Sequence, residues 1–138
     1  MGRNSDLDHL LRHMRPVLEA ERYVFATLDP GLPVPYGLEA RMQFREAEGT
    51  TLIVEAGAAA AAGLETSFPC RCLSLTINSS LDAVGFMAAI SGALAEDGIS
   101  CNAVAGYFHD HIFVPEADAE RALACLQALS GRHGGEFD

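Results

Sequence analysis

The chain has 138 residues, 49% of them hydrophobic, which is enough apolar material for one well-filled domain or two small halves packed as one body. Nineteen acidic residues against nine basic ones give a formal net charge of −10, a field that repels phosphate backbones and anionic lipid and so argues against nucleic-acid and membrane partners. All nine basic residues are arginine, which removes lysine Schiff-base and P-loop chemistry, and no apolar run is long enough to cross a membrane.

The first residues run straight into an amphipathic pattern rather than a leader, and four cysteines in a chain with an ample core read as reduced thiols. A cytoplasmic protein is expected. Leu7, Leu10, Leu11, Met14 and Leu18 recur at helical spacing behind Ser5 and Asp6, with Pro16 weakening the far end. Tyr23 to Leu28 is rich in strand formers and is stopped by Asp29-Pro30-Gly31 and a Pro-rich loop. Arg41–Arg45 and Thr51–Val54 flank the turn signal Glu48-Gly49 and predict a hairpin, followed by an alanine-rich helix from Ala56 to Ala62 that closes at Gly63.

The second half opens on a strand from Cys70 to Ile77, in which Cys70, Cys72, Ser74 and Thr76 alternate with Arg71, Leu73, Leu75 and Ile77. Asn78-Ser79-Ser80, with Asp82 in capping-box spacing, predicts a helix from about Leu81 to Asp97, ended by Gly98. Ile99 to Ala105 and His111 to Val114 read as strands around a turn at Gly106 to Asp110, and Ala119, Ala122, Leu123, Leu126 and Leu129 mark a last helix ending at Gly131. Thr50–Ala56 and Asp110–Ala117 share one hairpin-into-helix phrase about sixty residues apart, the mark of a duplicated unit. The expected division is an amino-terminal half at 1–66, a carboxy-terminal domain at 67–131 and a frayed tail at 132–138.

Strand, helix, strand, strand, helix is the start of a ferredoxin-like α+β layout, antiparallel sheets with helices on one face. Phe86, Met87, Ile90 and Leu94 make the second-half helix apolar on more than one side, so it needs a second neighbour within this chain or from another. The phrases Ser67-Phe68-Pro69-Cys70-Arg71-Cys72-Leu73-Ser74-Leu75, Ser79-Ser80-Leu81-Asp82-Ala83-Val84-Gly85, Ala95-Glu96-Asp97-Gly98-Ile99-Ser100-Cys101-Asn102 and Gly106-Tyr107-Phe108-His109-Asp110-His111-Ile112-Phe113-Val114-Pro115 resemble tandem ACT domains, the βαββαβ small-molecule-sensing modules of amino-acid metabolism. They are similar to a group of small bacterial two-ACT proteins, and more distantly to the regulatory modules of aspartate kinases and the animal cytosolic arginine sensor. The first half matches less closely, with an extra leading helix, and the second half lacks a fourth strand, which must then come from elsewhere in the chain.

The resemblance implies an amino acid or similar small molecule held where the first strand-helix loop of one module meets a neighbouring strand. The residues agree: Asn78, Ser79 and Ser80, with Leu81, Val84 and Gly85 after them, lead into a helix whose free N–H groups and positive dipole end can receive a carboxylate. Asn102, Asp110 and His111 then suit an amino group or side chain, and Tyr107 either covers the ligand or packs at its turn. Each of these has a plainer reading: Asn78–Ser80 as a helix cap alone, Gly85 as a tight packing point, and Arg71 as a surface charge or an inter-module carboxylate partner.

His109, His111, Cys70 and Cys72 are metal-ligand types. Cys-x-Cys within an unbroken strand spreads both thiols over a core face, however, so the hairpin-turn reading is preferred and neither metal nor cofactor is expected. Cys101 beside His109 or His111 is the one nucleophile-base pairing worth naming, against its place in an apolar strand. The expectation is a non-catalytic amino-acid sensor that assembles as a homo-oligomer and signals to a separate regulated protein. The competing reading is a structural interaction module without a functional ligand site.

Overall fold

The first helix is shorter than its apolar spacing predicts. The structure, a computed structural model, describes residues 3–136. Helix α1 spans Arg3–His13; Arg15, directly before Pro16, takes φ 39°, and strand β1 then runs over Pro16–Leu28. Leu18, placed in the helix by its spacing, is a strand residue that packs against the same core as Leu10, Leu11 and Met14.

There follow β2 (Ala40–Arg45), β3 (Thr50–Glu55), α2 (Ala56–Ala61), β4 (Glu65–Leu75), α3 (Phe86–Glu96), β5 (Asn102–Ala105), β6 (Asp110–Pro115), a single 3₁₀ turn at Glu116–Asp118, and α4 (Ala119–Arg132). Other boundaries also depart from the sequence reading. β4 begins at Glu65 rather than Cys70, β5 begins at Asn102 rather than Ile99, and α4 runs on through Arg132. Beyond α4, the N–H groups of Gly134 and Gly135 donate back to Gly131 and Ser130, so the described part of the tail is turned and tied rather than frayed.

The chain divides into two compact units, one made of residues 1–19 and 71–138 and the other of residues 20–70. The cuts fall after Glu19 and after Cys70, inside β1 and β4. In the first unit the sheet order is β1, β4, β6, β5. Counted from β4, this places the first strand between the third and a fourth, as the ferredoxin-like arrangement requires. Pro16–Glu19 supplies that fourth strand, the one its own half of the sequence lacks. Thr76 N–H donates to the Arg15 carbonyl and Arg71 donates to that of Glu19, so the two segments run antiparallel.

One sheet face of this unit carries three helices. Leu73, Leu75, Ile112 and Val114 pack against Phe86, Ile90 and Leu94 of α3 and Ala122, Leu126 and Leu129 of α4, with Leu10, Leu11 and Met14 of α1 completing the core. Helix α3 touches both α4 and α1, and this accounts for its broad apolar surface: both neighbours lie within the chain.

In the second unit the order is β2, β3, β1, β4, with β1 antiparallel to β3 (Tyr23 opposite Glu55 through Leu28 opposite Thr50) and β2 antiparallel to β3 across a register shift between Ala40 and Met42. No helix joins β1 to β2. Val34 and Leu38 from the Pro-rich loop pack instead against Val24, Ala26, Leu28, Leu52, Val54 and Ala59. The hairpin and alanine helix form where predicted, and the Glu55 carboxylate caps α2 by accepting from Gly57 and Ala58.

Leu94 is wholly buried among α1, α3, α4 and the sheet, whereas Leu81 is 67% exposed. Leu94→Ala is expected to lower unfolding free energy by about 2–5 kcal/mol in urea titrations, and Leu81→Ala by less than about 0.5 kcal/mol.

Candidate functional site

The segment leaving β4 is a loop where the sequence predicts a helix. Thr76 Oγ1 donates to the Arg15 carbonyl at 2.7 Å, Ser79 Oγ donates to Asp110 Oδ2 at 2.9 Å, and Ser80 Oγ accepts the Asp82 N–H at 3.0 Å. The Ala83 N–H closes a turn onto the Ser80 carbonyl. Serine satisfies turn N–H groups as readily as helix ones, and here the turn wins. The capping-box reading of Ser79 and Asp82, and a helix start at Leu81, are therefore corrected.

Helix α3 starts at Phe86 because Gly85, at φ 92°, occupies a left-handed backbone conformation that side chains disfavour. Gly85 is thus the N-cap rather than an interior helix residue. Having no side chain, it leaves the first-turn N–H groups without a side-chain cap. Beside this start lies an open hollow of about 430 Å³, lined by Leu7, His9 and Leu10 of α1 and by Ser80, Asp82, Ala83 and Val84 of the loop. Sequence reasoning omitted the α1 residues and Asp82 from the site, since no local signal ties a leading helix to a loop some seventy positions on.

The predicted site residues fall into three places. Ser80 and Val84 line the hollow and Gly85 begins the helix, Ser79 is hydrogen-bonded to Asp110 of β6, and Asn78 and Leu81 are exposed on the same loop. Asn102 and His111 lie elsewhere. In the β5/β6 ladder Asn102 faces Phe113 and Val104 faces His111, so these four share one sheet face, and Asp110 and Ile112 share the other. Asn102, Asp110 and His111 therefore do not converge on one small ligand. Tyr107, 81% exposed, stacks edge-on against Phe108 at 5.0 Å.

His111 belongs to a second polar group. Its Nδ1 is 2.8 Å from Ser74 Oγ, which donates to Glu19 Oε2 at 2.7 Å and lies 3.8 Å from Cys72 Sγ. Arg71, read as a surface charge or a carboxylate partner, does neither: its Nε and Nη2 both donate to the Glu19 backbone carbonyl, at 3.0 and 2.7 Å.

The ACT domain family matches residues 4–71 and again residues 67–128. The fold and much of the sequence are similar to those of a Vibrio cholerae protein of unknown function, at 44% identity over 94% of this chain and 99% of that one, with a TM-score of 0.83. An Agrobacterium tumefaciens protein shares the fold at 16% identity (83% of this chain, 87% of that one, TM-score 0.72). So does the regulatory subunit of aspartate kinase from Thermus flavus, at 13% identity (83% and 95%, TM-score 0.60). No curated protein matches.

None of the four cysteines forms a disulfide. Burial pushes the Cys101 thiol above its ordinary value; burial, with Asp97 beside it, takes Cys125 up to about 11. Both shifts disfavour the thiolate, the nucleophilic form. With Cys125 raised from 9.0 to about 11, its thiolate population near neutral pH falls by about a hundredfold. Alkylation of the native protein by iodoacetamide, followed by mass mapping, is expected to label Cys125 about that much more slowly than a free thiol and Cys101 more slowly than a free thiol.

Proposed function

Because the chain belongs to the ACT-domain family, whose modules bind small molecules and regulate, we propose that it is a non-catalytic sensor for an amino acid, taken up at the uncapped start of α3. The carrying observation is the hollow beside that start, whose lining sets Ser80 and the Asp82 carboxylate among apolar Leu7, Leu10, Ala83 and Val84 around a volume suited to a small ligand. An amino acid needs a partner for its carboxylate, one for its ammonium group and a surface for its side chain. The first-turn N–H groups of α3 suit the carboxylate, reinforced by the positive end of the helix dipole. Asp82 suits the ammonium group, and Leu7, Leu10 and Val84 offer apolar surface. The Ser79–Asp110 bond ties the loop to β6 and so holds the entry in shape.

Among the described residues no helix is long and apolar enough to cross a membrane, and the proposed setting is the cytoplasm. In this reading the ligand-bound state is recognised by a separate protein or by a second copy. Exposed Leu81, Val84, Tyr107 and Phe108 favour self-assembly, and they also carry the second reading, a pure interaction module.

A thermal-shift screen against the twenty amino acids separates the two. A ligand confined to the folded state adds about 2.7 kcal/mol at a hundred times its Kd. One amino acid is expected to raise Tm, with the shift lost in Asp82→Ala and reduced in Ser79→Ala. A flat response to all twenty would leave the interaction module as the function.

A further inference from the structure

The second polar group of unit one is built from three metal-ligand types contributed by three strands. Glu19 stands on β1, Cys72 on β4 and His111 on β6, and a carboxylate oxygen, the thiol sulfur and a ring nitrogen all lie within 4.8 Å of one another. Ser74 Oγ marks the point on which they converge, at 2.7 Å from the carboxylate, 2.8 Å from Nδ1 and 3.8 Å from the sulfur. The backbone of Glu19 is pinned by the two Arg71 hydrogen bonds. The imidazole is backed by Gly106, where an added Cβ would stand 3.4 Å from Nε2 and only 2.7 Å from the His109 carbonyl. Nδ1 is thus the nitrogen turned toward the centre. Cys72 is fully buried, while Glu19 and His111 are half-buried.

We propose that Glu19, Cys72 and His111 form a binding site for a thiophilic divalent ion, zinc being the best match, on the sheet face opposite the amino-acid site. A mixed sulfur, nitrogen and oxygen donor set excludes calcium and magnesium and suits tetrahedral zinc with one position left for Ser74 or water. Charge balances: thiolate and carboxylate together neutralise the ion. The protons balance as well. Ser74 gives its one hydroxyl hydrogen to Glu19, so the hydrogen on Nδ1 of His111 is donated to Ser74 in the metal-free protein. Binding moves the ring hydrogen to Nε2, displaces the serine hydroxyl from Nδ1, and releases the Cys72 thiol proton to solvent, one proton per ion.

The test is a cobalt(II) titration of the full-length, metal-stripped protein, followed by absorbance and by proton release. The expected result is one ion per chain, a thiolate-to-cobalt charge-transfer band with tetrahedral d–d bands, and about one proton released. Cys72→Ser is expected to abolish the charge-transfer band, and His111→Gln to weaken binding by roughly tenfold or more. Cys101→Ala and Cys125→Ala are expected to keep both. If Cys72→Ser, at a fully buried position, loses its fold by circular dichroism, the half-buried His111→Gln and the two cysteine controls still decide. No band in the parent protein, a band that survives Cys72→Ser, full affinity in His111→Gln, or a band lost in Cys101→Ala or Cys125→Ala would overturn the site. The amino-acid reading is untouched by any of these outcomes.

Discussion

Unit one closes its sheet with four residues, Pro16–Glu19, that precede the strand used by unit two as its own first strand. Unit two likewise ends its sheet with Glu65–Cys70, ahead of the part of β4 that serves as the first strand of unit one. Backbone hydrogen bonding makes this arrangement necessary, because a three-stranded sheet under three helices would leave a row of buried N–H and C=O groups unpaired along β4. The junctions therefore admit little change. Arg71 is the first residue of β4 in unit one and Glu19 the last of β1, and the double hydrogen bond between them sits where both strands change unit. The Glu19–Ser74–His111 group is assembled as a consequence of this junction.

The layout of the second half was legible because its signals are strong and redundant. Alternation over Cys70–Leu75, the Gly98 stop at φ 71°, the β5/β6 turn and the apolar repeat of α4 all point to one arrangement. The need for a fourth strand from elsewhere was also readable, though its source was not. Pro16–Arg22 carries Glu19, Glu21 and Arg22 and has none of the branched and aromatic density that marks a strand. Its strand character comes from pairing, which a local window cannot see.

The candidate site was half legible. Loop 78–85 drew attention for its serines, yet Asn78-Ser79-Ser80 reads identically as a helix cap and as a hydrogen-bonded turn, and only Gly85 decides where α3 begins. Helix α1, by contrast, supplies a wall of the hollow from the opposite end of the chain. The grouping of Asn102 and His111 with Asp110 has a different origin. Proximity in sequence to Asp110 suggested one site, but the two-residue period of a strand turns His111 away from Asp110, and the β5/β6 register sends Asn102 with it. The same geometry separates two chemistries on one sheet: an opening suited to a zwitterion on the helix side, and a sulfur, nitrogen and oxygen cluster on the other.

The central claim is that a free amino acid docks on the N–H groups that begin α3. An amide NMR titration of isotopically labelled protein with a stabilising amino acid tests it residue by residue. The account predicts saturable shifts at Phe86, Met87 and Ala88 and along Ser79–Gly85, with Asn102 and His111 little changed. Shifts centred on the Tyr107–His111 turn, with the start of α3 silent, would contradict it.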